Sequence, residues 1–408
     1  MLSISNLLCN YTAGNERLRY GHKSEKEAVR APRPVVVWAV TRACNLKCVH
    51  CYASATDQAD PQELTHVEGR RLLEDLKNFG VPAVLFSGGE PLVRSDTPEL
   101  IGYAQQLGLS TTLSTNGILI TDGMVDRLST LGLKYVGISI DGTREHHDKL
   151  RGMQGAFDAT LAGIHRCKEH GMKVGMRFTV HALNYRQIDA IFDLSLAHGV
   201  DRLCVYHLAY AGRGANMKKV DLTSQQTRQV MDRIIDRTLQ CHELGRQLEV
   251  LTVGNATDAG YIIHYLEKTN PKRAGEVRKL LQGTGGNRSG SNIAAIDPTG
   301  GVHYDQFSWH YTCGNVHEKP FSEIWTDPTD DRLKLLRDRV QHLPQACQAC
   351  RFLDVCNGNL RTRAESGTGN WLGMDPGCYL TEEERQAPQP TTRQLVDSFG
   401  GMGMPFTD

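Results

Sequence analysis

The sequence has no surplus of charge: 46 lysines and arginines face 46 aspartates and glutamates. A chain without a basic face has no electrostatic footprint for nucleic acid, and no such partner is expected. Long apolar runs are missing too. Nothing approaches the ~20 residues of a membrane span, so no membrane partner is expected. Residues 1–21 carry no basic segment followed by an apolar core, which argues against a signal peptide and for a cytoplasmic protein. No short repeat or low-complexity tract stands out. What remains, 40% hydrophobic and 23% charged over 408 residues, is ordinary for a globular chain with room for two or three domains. Cysteine is the exception, with twelve. In a cytoplasmic protein that number points to metal rather than disulfides.

Cys44, Cys48 and Cys51 stand as C-x3-C-x2-C in CNLKCVHCY, directly after the apolar run PVVVWAV, Pro34 to Val40. Three thiolates on one short loop can hold three irons of a cubane [4Fe–4S] cluster and leave the fourth iron open to a small molecule. The alternative is a structural zinc knuckle with His50 as fourth tetrahedral ligand. A second signal, FSGGEPL (Phe86 to Leu92), follows another apolar run, and its glycines allow close approach of the backbone to a ligand. Around these motifs the chain alternates β-rich and amphipathic segments. The expected strands are 35–40, 83–87, 110–115, 135–140, 173–180 and 202–207. Helices are expected near 98–107, 123–131, 156–170 and 185–197, with one more marked by a Thr65/Glu68 capping box and Gly80 at its end. Six βα units with right-handed crossovers predict an α/β fold, a parallel sheet curled into a partial (β/α)6 barrel, with ligands at the C-terminal ends of its strands.

The cysteine loop and GGEP together resemble the radical S-adenosylmethionine (SAM) superfamily. The resemblance implies that Cys44, Cys48 and Cys51 carry the SAM-cleaving cluster. It also implies that the backbone of Gly88, Gly89, Glu90 and Pro91 holds the SAM amino group, and that one-electron cleavage of the sulfonium yields a 5′-deoxyadenosyl radical. Tyr52, closing the cysteine motif, is placed with the SAM residues. So are Ser114 and Asn116 of STNG, Ser139 and Asp141 of SIDG, and Arg151 of HDKLRG. Asn-Gly also suits a bare turn, and Arg151 could simply pair with Asp148. In MRFTV, Arg177 and Thr179 share one strand face. An arginine inside a barrel needs an anion: the SAM carboxylate, or a buried acidic partner.

The C-terminal cysteines form a second constellation. Cys347, Cys350 and Cys356 are spaced C-x2-C-x5-C, with Cys378 following. Four thiolates suit either zinc or a fully ligated [4Fe–4S] cluster. The arrangement resembles the SPASM extension of radical SAM enzymes, which implies one auxiliary [4Fe–4S] cluster on these four residues. Such domains usually carry another cysteine where this chain has Leu360. Upstream only Cys313 is available, and it reads as a packed thiol, so two [4Fe–4S] clusters are expected in all. Cys9, Cys167, Cys204 and Cys241 receive no role.

Beyond Gly212–Gly214, residues 224–244 and 256–281 read as helices around a β-like LEVLTV. The loop GTGGNRSGSN marks a boundary, and IAAIDPTGGVHYDQF has hairpin character. The expected organisation is an N-terminal segment near the substrate opening (1–33), the SAM barrel (34–215), a helical connector (216–285), a SPASM-like domain (286–385) and a flexible tail (386–408). The phrases LRYGHKS, RPVVVWAVTRACNLKCVHCYA, GGNRSG and IDPTGGVHYDQFSWHYTCGNV resemble the tetrapyrrole-modifying radical SAM enzymes of the siroheme-dependent haem and haem d1 pathways. That resemblance implies an iron tetrapyrrole substrate, removal of two acetate side chains from 12,18-didecarboxysiroheme to give iron-coproporphyrin III, and an electron donor such as flavodoxin or ferredoxin. The sister reactions, which act on propionates, stay open. So do a peptide-modifying SPASM enzyme and a non-enzymatic iron–sulfur or zinc protein. Tetrapyrrole carboxylates need cations, and Arg19, Arg213 and Arg288 are the candidates, with His22 and His310 as candidate iron ligands or proton donors. No catalytic acid or base is assigned.

Overall fold

The parallel strands finish on one common edge, most of them on a small or polar residue (Ala39, Ser87, Thr115, Ser139, His207), and that edge organises the molecule. The computed structural model describes residues 1–13, 33–327 and 329–386. Its strands are β1 (Leu2–Ser3), β2 (Val35–Ala39), β3 (Ala83–Ser87), β4 (Ser110–Thr115), β5 (Tyr135–Ser139), β6 (Lys173–Val180), β7 (Arg202–His207), β8 (Glu249–Val253), β9 (Ile293–Ile296), β10 (Gly301–His303) and β11 (Gly314–Asn315). They form one sheet in the order β1-β8-β7-β6-β5-β4-β3-β2-β9-β10-β11. Pairing is parallel from β2 through β8 and between β2 and β9. Parallel strands covered on both faces read as near-continuous apolar runs, as VVVWA and AVLFS do, and Val36, Trp38, Val84, Phe86, Leu113, Val136, Ile138 and Met176 are fully buried.

Helices pack against this sheet. His66–Phe79 starts at the Thr65/Glu68 capping box and stops at Gly80, whose φ of 86° is left-handed. Two expectations change beyond β7. LEVLTV, read as part of a helical connector, is a seventh parallel strand hydrogen-bonded to β7, because its apolar residues continue the buried sheet. The single helix expected over 256–281 is two, Thr257–Thr269 and Pro271–Thr284. Asn270 ends the first, and its side chain accepts from Arg273 N to start the second. Pro271 has no N–H to continue a helix.

The hairpin of β9 and β10 is antiparallel and grafts onto β2. At the opposite edge the described part of the N-terminal segment pairs β1 with β8, and Arg273 grips the carbonyls of Asn6 and Leu7 at 2.6 and 2.9 Å. Arg19, His22 and nearly all of the 386–408 tail lie outside the described residues. Among those described, no helix is long and apolar enough to cross a membrane.

Candidate active site

The cysteine loop leaves β2 and is sewn into the strand ends by its backbone. Val40 N donates to Ser87 O (2.9 Å), Gly89 N to Thr41 O (2.8 Å), Glu90 N to Ala43 O (2.8 Å) and Val49 N to Leu150 O (3.1 Å). Cys44, Cys48 and Cys51 all face one cavity of about 1230 Å³ at the C-terminal edge of the sheet. Burial pushes the Cys44 thiol up to about 12 and raises Cys48 as well. Buried thiols of this kind ionise when a cation binds them. Arg151 brings a guanidinium nitrogen 3.6 Å from the Cys48 sulfur.

Of the residues expected to meet SAM, Tyr52, Gly88, Gly89, Ser114, Asn116, Ser139, Arg151 and Arg177 line this cavity, with Thr179 beside Arg177. Tyr52 hydrogen-bonds Ser87 at 3.2 Å. Arg177 donates to Ser114 Oγ and crosses β5 over Gly137, where any Cβ would collide with its guanidinium. Among the described residues Arg177 has no carboxylate within ion-pair reach, and its Nε has no partner. The expectation of a buried acidic partner is therefore not met.

Other expected residues are brought near the cavity but given different work. Glu90 is fully buried and points away. Its carboxylate accepts from Thr115 Oγ1 (2.8 Å), Asn116 N (2.7 Å) and Leu92 N (3.1 Å), tying β3 to β4, and its neighbour Pro91 opens a short 3-10 turn. Neither lines the cavity. Asp141 is also fully buried. Its Oδ2 lies 2.6 Å from Arg151 and 3.2 Å from His50. Burial pushes the Asp141 carboxyl up, yet Arg151 and His50 outweigh it and hold the group well below the usual carboxylate range. So Arg151 pairs with Asp141, while Asp148 accepts from Gly155 N and Phe157 N. His50 lines the same cavity, and its Nε2 is engaged by Asp141.

The substrate cations read from sequence fare differently again. Arg213 lines the cavity and also clamps the cysteine loop, donating to Cys48 O (2.8 Å) and Ala55 O (2.6 Å), while its Nη2 has no partner among the described residues. Arg288 folds back on Thr284 O (2.6 Å), away from the cavity. His310 pairs with Glu365 at 2.7 Å on the surface. Sequence reasoning missed His207 and Tyr206, which follow the same strand-end rule as the other lining residues. It also missed Phe307, which reaches Tyr52 edge-on at 5.4 Å from a hairpin distant in sequence and so carries no local signal.

Cys347, Cys350, Cys356 and Cys378 converge on a second cavity of about 450 Å³. Their walls are held by buried charge. Arg363 meets both Asp375 oxygens at 2.7 and 3.0 Å. Asp375 in turn accepts from Leu360 N (2.9 Å) and Gly377 N (2.8 Å). Gly286, from the GGNRSG loop, packs on the Cys356 backbone, and Asn287 N donates to Cys356 O at 3.1 Å. That loop, read from sequence as a domain boundary carrying the candidate cation Arg288, is a clasp for the third cysteine. Cys313 is packed against the core away from both cavities, and burial pushes it up to about 12.

Two thiol-lined cavities, one with three cysteines beside an arginine that lacks a carboxylate partner among the described residues and one with four cysteines, meet their counterparts in known proteins. Residues 38–195 match the radical SAM superfamily, and residues 288–351 match the SPASM iron–sulfur cluster-binding domain. Fe-coproporphyrin III synthase of Methanosarcina barkeri is 49% identical, covering 94% of this chain and 98% of that protein. The chain belongs to the radical SAM superfamily. Within it, pre-heme d1 synthase of Dinoroseobacter shibae is 42% identical over 91% of this chain and 92% of that protein, which puts the chain in the tetrapyrrole-modifying subgroup. Streptococcus suis SuiB bound to S-adenosylmethionine shares the fold at a TM-score of 0.66 and 19% identity, covering 86% of this chain and 78% of that one. The cofactors of this radical SAM enzyme are SAM and two [4Fe–4S] clusters. The donor sets fit them: three thiols beside a guanidinium whose Nε is buried without a partner at one site, four thiols at the other.

Proposed function

We propose that this enzyme is a 12,18-didecarboxysiroheme deacetylase, removing two acetate side chains to give iron-coproporphyrin III. The observation that carries this reading is the 49% identity over nearly the full length of Fe-coproporphyrin III synthase, against 32% for the AdoMet-dependent heme synthase of the same organism. The cavity supports it. Its wall carries the three motif cysteines together with Arg177, so SAM and the edge of a macrocycle would meet beside the cysteine loop.

Cys44, Cys48 and Cys51 would hold the first cluster, and Cys347, Cys350, Cys356 and Cys378 the second. Bound together, SAM and the first cluster supply hydrogen-abstracting chemistry driven by one electron. The chain does the rest. Arg177 receives the SAM carboxylate, fixed by Ser114 on one side and the Gly137 gap on the other. Ser139 and Asn116 offer hydrogen bonds to the ribose. Tyr52 and Phe307 wall off water. The electron comes from a flavodoxin- or ferredoxin-like donor, and the work is done in the cytoplasm.

Anaerobic incubation with didecarboxysiroheme, SAM and reductant tests the reading by product mass. Loss of two acetate groups is expected. If didecarboxysiroheme stays intact while iron-coproporphyrin III becomes haem with carbon dioxide release, the enzyme is a haem synthase instead.

A further inference from the structure

An acetate side chain that leaves whole breaks one carbon–carbon bond. Once a neighbouring carbon has lost a hydrogen atom, one electron of that bond completes a carbon–carbon double bond in the macrocycle. The departing CH2-carboxylate keeps the other electron. It ends as acetate only by gaining one further electron and one proton, so the cavity needs an acid.

His207, the last residue of β7, lines the cavity and is 6% exposed. Its Nε2 donates to Asp258 Oδ2 at 3.0 Å, and Asp258 is fully buried. The other Asp258 oxygen accepts from Tyr379 OH at 2.8 Å. Tyr379 directly follows Cys378, and Thr257, directly before Asp258, lines the four-cysteine cavity. One buried carboxylate thus separates the two cavities, with an imidazole on one side and a phenol on the other. A carboxylate behind an imidazole fixes the ring's orientation and tautomer, as a positioned proton donor requires. The other histidine in this cavity, His50, shares Asp141 with Arg151 between two cluster cysteines and is committed to the loop.

We propose that His207 is the acid that protonates the departing acetate fragment. Asp258 and Tyr379 are its positioning residues, and Cys347, Cys350, Cys356 and Cys378 behind them would hold the iron–sulfur cluster whose chemistry would supply the electron. This rests on the acetate-removing reading above.

The test uses the full chain with both clusters reconstituted and didecarboxysiroheme as substrate. It reads 5′-deoxyadenosine formed per acetate released, together with iron content. His207→Ala should raise that ratio by roughly tenfold or more, as for loss of a general acid, at unchanged iron content. Added imidazole should bring it back. Tyr379→Phe, which keeps the ring and removes only the bond to Asp258, should raise it by a smaller factor. If His207→Ala fails to take up iron, His207→Gln carries the same expectation without the imidazole arm. A wild-type ratio in the His207 variant overturns the assignment, and so does a rise that imidazole leaves untouched. Wild-type enzyme that releases no acetate fails the substrate reading itself, and the control shows which of the two has failed.

Discussion

Arg177 is the residue on which the SAM side of the cavity turns. A guanidinium this enclosed, hydrogen-bonded to one serine and lacking a carboxylate among the described residues, holds its charge only at a solvation cost that an anionic ligand relieves. Truncating one member of a buried charge pair costs roughly 2–5 kcal/mol. Arg177→Ala should therefore weaken SAM binding by about 30-fold or more, measured by equilibrium binding to the reconstituted protein, with iron content unchanged. Wild-type affinity in that variant would remove Arg177 from the SAM site. Glu90 shows the opposite case. Its carboxylate is saturated by three protein donors, so it acts by fixing strand ends. Glu90→Ala would strand two buried backbone N–H groups at about 1–3 kcal/mol each. The expected result is a clear drop in melting temperature of the apoprotein, and an unchanged one would show that the loop repacks.

At the scale of elements, the GGEP turn and the cysteine loop are built against each other. A Cβ at Gly88 would lie 2.6 Å from Thr41 O, and one at Gly89 would strike Ala43 O. No flexible side chain is there to yield, so these glycines are required by loop-to-loop contact as much as by any ligand. Gly89→Ala should displace Cys44 and lose the SAM-cluster iron while the C-terminal iron stays. Iron analysis with electron paramagnetic resonance separates the two, and a full iron complement would refute the contact argument. The C-terminal site depends instead on Arg363 and Asp375, both about 1% exposed at the side chain. Asp375→Asn leaves that arginine uncompensated, which costs about 3–5 kcal/mol. It should destabilise the protein and release auxiliary iron first, followed as iron loss against denaturant. Simultaneous loss of both clusters would mean the two sites unfold as one unit.

For the whole molecule, two four-iron sites predict about eight irons per chain. Replacing Cys44, Cys48 and Cys51 with alanine should leave about four and abolish 5′-deoxyadenosine formation. About four irons plus one zinc in the wild type would overturn the second cluster, and about twelve would bring Cys313 into a third.

Motif spacing and strand periodicity are local properties, and what depends on them was legible in the chain. The cysteine triplet, the four C-terminal cysteines, four of the six barrel strands to the residue, and the Thr65–Gly80 helix limits were all written there. A polar side chain at a strand end carries no local mark of which way it turns. Glu90, Asp141, Arg213 and Arg288 have the chemistry of ligand-binding residues. Yet each is claimed by backbone or side-chain groups that the fold brings up from elsewhere in the chain or from its own loop. The same long-range closure carries Phe307 to Tyr52 and joins His207 to Tyr379 through Asp258. The sequence alone determined which atoms could bind iron. Only the tertiary structure decided which charges were left unmatched to bind anything else, because a charge is neutralised by whatever lies within a few ångströms in space, however far away it is along the chain.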